Sequence, residues 1–86
     1  MQRVYVGVNA YHDADGRMTP RSIVWTDGRK YEIDGVTDVR QAASLKVGGQ
    51  GERYTVRIAG RQKYLFFERS PSVADKIAGR WFVEGK

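Results

Sequence analysis

Apolar and polar residues alternate along several stretches of the chain, and a two-residue period is the mark of a strand with one buried face. Val4, Val6 and Val8 alternate with Tyr5, Gly7 and Asn9, which predicts a first strand over roughly Gln2 to Asn9. The stretch from Arg21 to Val39 carries two further runs, Ile23-Val24-Trp25 and Tyr31-Glu32-Ile33, on either side of Asp27-Gly28. Asp-Gly is a strong hairpin signal, because Gly takes positive φ without a Cβ clash. A two-residue loop would set Trp25 opposite Lys30. An odd loop over Thr26 to Gly28, with Gly28 left-handed, puts Ile23, Trp25, Tyr31 and Ile33 on one apolar face and turns Val24, Lys30 and Glu32 away. The odd loop is the reading adopted, with Trp25 as a core ring whose removal would leave the domain largely unfolded.

Later segments extend the same pattern. Val39 to Leu45 predicts a strand with small residues, Ala42, Ala43 and Ser44, suited to close packing against Trp25. Arg53 to Ala59 alternates cleanly and Gln62 to Arg69 runs back, with Gly60-Arg61 as a two-residue turn. That turn pairs Tyr54 with Phe67, Val56 with Leu65 and Ile58 with Lys63 inward, and Arg53 with Glu68, Thr55 with Phe66 and Arg57 with Tyr64 outward. Ser72 and Asp75 read as a capping box that predicts a short helical turn near residues 72–78, placed to plug an open barrel end. Residues 80–84 predict a final strand with Trp81 and Val83 inward. The whole is an all-β, SH3-like, partly open barrel of five to seven antiparallel strands in one domain spanning residues 1–86.

Composition narrows the function more than the fold. The chain has 86 residues, no cysteine and one histidine. Thiolate chemistry is therefore absent, and most acid–base and nucleophile arrangements go with it. The protein is read as non-catalytic and without a cofactor. His12, Asp13 and Asp15 resemble a calcium loop only superficially, because Gly16 and Arg17 follow at once where further oxygen ligands are needed; no metal site is expected. The glycines at 48, 49 and 51 lack the helix and the Lys-Ser/Thr pair of a phosphate loop. The first residues contain no apolar run long enough for a signal peptide or membrane span, so the reading is cytoplasmic, with no membrane partner.

Charge is uneven. Residues 1–36 hold five Lys+Arg against five acids, whereas residues 37–86 hold ten against five, so the formal charge of +5 lies in the second part. On the outward face of the second hairpin, Arg53, Arg57, Tyr64 and Phe66, extended by Lys46, Arg61 and Arg40, combine rings that can stack a base with cations that neutralise phosphate. Single-stranded or duplex nucleic acid is the leading partner. In the plainer reading Phe66 is core and Arg53 pairs with Glu68. A different class is a protein-interaction or homodimerisation module, with Phe66 or Phe82 as an exposed anchor.

Several of these residues also carry a resemblance. Asp15-Gly16 with Pro20, Ile23-Val24-Trp25, Gly28-Arg29-Lys30-Tyr31, Val36, Val39-Arg40, Arg53-Tyr54-Thr55-Val56 and Trp81 resemble the pattern of a family of small uncharacterised bacterial domains, over Asp15 to Glu84. The resemblance implies a small β-barrel and brings no catalytic residue.

Overall fold

The structure is a computed structural model that describes residues 2–43, 50–69 and 79–85. These form seven strands: β1 (Gln2–His12), β2 (Met18–Val24), β3 (Lys30–Glu32), β4 (Gly35–Ala43), β5 (Gln50–Ile58), β6 (Arg61–Arg69) and β7 (Gly79–Gly85). All pair antiparallel in one sheet of order β3-β2-β1-β7-β6-β5-β4. No helix occurs among the described residues, and none there is long and apolar enough to cross a membrane. The expected helical turn near residues 72–78 lies outside them.

The sheet curls into a half-barrel because β3 and β4 are two arms of one bent segment. Ile33 N–H donates to the Arg21 carbonyl beside β3 (2.9 Å), and the next residue, Asp34, donates to the Arg57 carbonyl of β5 (2.8 Å). The backbone thus steps from one edge of the sheet to the other within two residues. Beyond that step the edges part, and the Tyr54 hydroxyl spans the inside by donating to the Met18 carbonyl at 3.1 Å.

Inside the curl lie Ile23, Tyr54, Val56, Leu65, Phe67 and Trp81. Leu65 is wholly buried, at 0% exposed, opposite Tyr54 of β5 and on the same face of β6 as Phe67. Trp81 packs against Tyr54 (centroids 5.2 Å apart) and Phe67 (4.9 Å) in tilted geometry, the arrangement that ring quadrupoles favour. Glycine is required where β6 meets its neighbours: a Cβ at Gly79 would strike the Phe67 ring and the Glu68 carbonyl, and one at Gly51 would strike the Phe67 carbonyl. Gly79 therefore opens β7 beneath the Phe67 ring. Pro20 is buried within β2, beside a bulge at which Arg21 is the extra residue between the pairs Ser22↔Asn9 and Pro20↔Ala10. A bulge is one of the few places where a strand accommodates a residue with no N–H.

The first hairpin has the expected odd loop. Trp25 N–H donates to the Arg29 carbonyl, Gly28 N–H to the Trp25 carbonyl, and Gly28 has φ of 88°. Ile23 faces Tyr31 as that loop requires. The centrality given to Trp25 is corrected, however. Trp25 is only half-buried and Tyr31 is exposed, because β3 has three residues, all exposed, and the hairpin tip reaches past the sheet. The core ring is Trp81.

The second hairpin also differs from expectation. Its turn is Ala59-Gly60, both at positive φ (51° and 77°), one residue earlier than Gly60-Arg61. Ile58 pairs with Arg61, so every partner moves by two: Tyr54 faces Leu65, Val56 faces Lys63, Arg53 faces Phe66, Thr55 faces Tyr64 and Arg57 faces Gln62. A shift of two preserves the faces, which is why the inward and outward sets stand while each cross-strand pair changes.

Candidate nucleic-acid interface

Two adjacent ring pairs in the sequence, Phe66-Phe67 and Trp81-Phe82, give each of β6 and β7 one ring per face. Phe67 and Trp81 enter the core; Phe66 and Phe82 stack on the outer face with centroids 5.0 Å apart and planes within 6°. Tyr5 meets Phe82 edge-on at 5.7 Å. The register aligns these rings into one row across five strands, Arg40↔Arg53↔Phe66↔Phe82↔Tyr5.

Arginines frame the row. Arg80 lies 4.2 Å over the Tyr5 ring, Arg3 lies 4.8 Å over Phe82, and Arg53 lies 4.7 Å over Tyr64. Glu68 neutralises one end of the face. It accepts from Arg3, from the Tyr5 hydroxyl (3.3 Å) and from Arg80 (3.5 Å). Hydrogen bonding with Tyr5, offset in part by desolvation and aided by the Glu68 charge, holds the Arg3 guanidinium above its ordinary range. Arg40 pairs with Asp38 at 2.7 Å.

The opposite end is different. Arg53 and Arg57 make no ion pair with a described residue, and they flank Tyr64, which is 45% exposed. The Arg53 Nε is buried without a hydrogen-bond partner among the described residues.

Of the residues expected to bind, Arg53, Arg57, Tyr64 and Phe66 share this outer face. Arg57 stands opposite Gln62, so the ring contact assigned to Arg57 belongs to Arg53. Phe66 is half-buried under its stack, and Phe82, named as an exposed anchor, is only 8% exposed although it faces outward. Glu68 pairs with Arg3 and Arg80, not Arg53. Arg61 departs from the set: on β6 it has the inward parity of Leu65 and Lys63, and it lines the concave side. Lys46 lies outside the described residues.

Sequence reasoning missed Arg3, Tyr5 and Arg80, and named Phe82 only as an anchor for a protein partner. The signal was present, since Arg3 and Tyr5 alternate with inward valines and Arg80 and Phe82 alternate with Trp81 and Val83. What the alternation does not say is that β1 and β7, from opposite ends of the chain, lie side by side. Among the described residues no group of three or more His, Asp or Glu is placed to hold a metal ion. No family model, curated protein or solved structure matches the chain.

Proposed function

We propose that the protein is a non-catalytic binding module, a small SH3-like, partly open barrel whose outer sheet face takes single-stranded nucleic acid. The observation that carries this reading is Tyr64, an exposed ring flanked by Arg53 and Arg57, two cations that no described acid neutralises. A base stacked on Tyr64 contributes about 1–3 kcal/mol. Arg53 over the ring adds a cation to the stack, Arg57 meets the adjoining phosphate, and the Phe66–Phe82 stack continues the apolar track. Duplex nucleic acid keeps its bases stacked inside, so the rings favour single strands. The test is anisotropy with a labelled single-stranded and a duplex oligonucleotide at two salt concentrations. We expect preference for the single strand, a loss of affinity with salt at a logarithmic slope of about −0.7 per neutralised phosphate, and further loss in Arg57→Ala and Tyr64→Ala. Absence of binding at low salt overturns the reading.

A second reading rests on the edge of the sheet. β4 pairs only with β5, and Val39 on its inward side is 50% exposed. An unpaired edge can add a strand from a protein partner or a second copy, although the charged Asp38 and Arg40 there oppose indiscriminate pairing. Sedimentation velocity of the parent beside Val39→Lys separates self-association from a monomer.

A further inference from the structure

The concave side of the sheet ends in an open mouth where the β2–β3 loop and the β5–β6 turn meet. A cleft of about 810 Å³ lies there, lined by Ile23, Trp25, Tyr31, Ile58 and Val83 over a floor of Val56 and Leu65. That volume falls within the range of small-ligand sites, roughly 300–1,000 Å³, which are typically apolar with a few convergent polar groups. Here two of the polar groups are cationic. Lys63 and Arg61 occupy inward positions of β6, where the pattern set by Leu65 and Phe67 calls for apolar side chains, and neither makes an ion pair with a described residue. The one acid in the lining, Glu84, belongs to the outward parity of β7 and stands at the rim.

From this arrangement we infer that the mouth of the half-barrel is a binding site for a medium-chain carboxylate. The apolar chain lies on the aliphatic floor with the Trp25 and Tyr31 rings as walls, and the carboxylate meets Lys63 and Arg61. Aliphatic side chains line both the floor and part of the wall, and they suit a methylene chain better than a polar solute. Two unpaired cations against one rim acid set the sign of the head group. Lys63 and Arg61 have the inward parity of β6, opposite to that of Tyr64, although Tyr64 also borders the cleft, and the inference does not depend on the outer face binding nucleic acid.

The test titrates the intact protein with dodecanoate and with dodecyltrimethylammonium, both below their micellar concentrations, and follows the two indole N–H resonances by NMR. Dodecanoate is expected to bind saturably at one site and to shift the Trp25 resonance while the Trp81 resonance stays in place. The cationic amphiphile is expected to bind at least about tenfold more weakly. Lys63→Met should reduce dodecanoate affinity about tenfold, the loss expected for a hydrogen bond to a charged group, and Lys63→Arg should retain most of it. Lys63 is exposed, so both variants should keep the parent melting temperature. Oligonucleotide binding should be unaltered in Lys63→Arg and weakened in Arg57→Ala, at a residue outside the cleft lining, which separates failure here from failure of the outer-face reading. No saturable binding, equal affinity for the two head groups, or a Trp25 resonance that does not move overturns the inference.

Discussion

Trp81 touches both Tyr54 and Phe67 and is 9% exposed, while Trp25 stands half-buried on the rim of the mouth. The same substitution therefore has unequal consequences at the two positions. Trp81→Ala empties the centre of the inner aromatic cluster and should cost about 3–5 kcal/mol, a large share of the roughly 4–13 kcal/mol expected for a chain of this length. Trp25→Ala removes a wall of the cleft and should cost about 1–2 kcal/mol, leaving a cooperative urea transition. Urea melts of both variants beside the parent decide the order; equal losses would return Trp25 to the core. Tyr54 makes a second prediction, of opposite kind. Burial foremost, and the Glu52 carboxylate after it, hold the Tyr54 phenol above its ordinary value of 10.0, with Arg69 pulling the other way. Because the folded value is the higher one, the stability this protonated phenol contributes is complete below about pH 10 and is lost as pH rises through the folded value. The parent should thus lose urea resistance on going from neutral pH to above pH 10, and Tyr54→Phe should lose less over the same interval. At neutral pH Tyr54→Phe should cost about 1 kcal/mol, because the bond to the Met18 carbonyl is gone. An identical pH slope in both proteins would show that the phenol does not sense folding.

In the β5–β6 hairpin, Ala59 is the one non-glycine residue at positive φ among the described residues. A Cβ in the left-handed region is strained by about 1–2 kcal/mol, and Asn is among the residues that a turn with two positive φ values favours. Ala59→Asn should therefore stabilise the protein by about 0.5–1 kcal/mol and raise the melting temperature by roughly 4 °C, read by a thermal melt; a fall would mean the turn has another geometry. The strain also explains the register. A glycine followed by arginine advertises a turn with Gly first, and no residue type advertises an alanine held left-handed. Face parity was legible, because alternation is a local property of Tyr54-Thr55-Val56 and Leu65-Phe66-Phe67, and a turn moved by one residue shifts the partners by two. The odd loop at Thr26 to Gly28 was legible for the same reason, since only one loop parity gave an apolar face. Burial was not legible, because it depends on which strands lie alongside: Phe82 faces outward yet is covered by Phe66, Tyr5 and Arg3, and Trp25 faces inward yet overhangs the sheet end. The candidate site followed suit, with Arg53, Arg57, Tyr64 and Phe66 read from one hairpin, Arg3, Tyr5 and Arg80 of β1 and β7 missed, and Phe82 named without its neighbours.

At the scale of the molecule the strand order is cyclic. Consecutive strands are paired except β3 and β4, which lie at opposite edges of the sheet and are joined through Ile33 and Asp34, and the ladder that does not follow chain order is β1 against β7. Gln2 pairs with Gly85 in that ladder, so a short loop of about four residues can join Gly85 to Gln2 and turn the ladder into one more hairpin. New ends can then open between Ala14 and Asp15, in the exposed β1–β2 loop at the far end of the sheet from the mouth. This permutant keeps every ladder, the inner ring cluster and the outer Arg53–Tyr64 face. It should melt cooperatively, with some loss because the cut disturbs the Asp13 carboxylate bonds to the Asp15 and Arg17 amides. Its folding rate should stay close to the parent's: pairing of sequence-distant strands slows folding through the loop that must close first, and here the β1–β7 distance shrinks to a turn while the β1–β2 distance grows from a turn to nearly the whole chain. Stopped-flow refolding of the two proteins measures the difference. A permutant that folds much faster would place the limiting step in the β1–β7 pairing, one that folds much more slowly would place it in the β1–β2 pairing, and one that fails to melt cooperatively would show that the half-barrel does not close through β1 and β7.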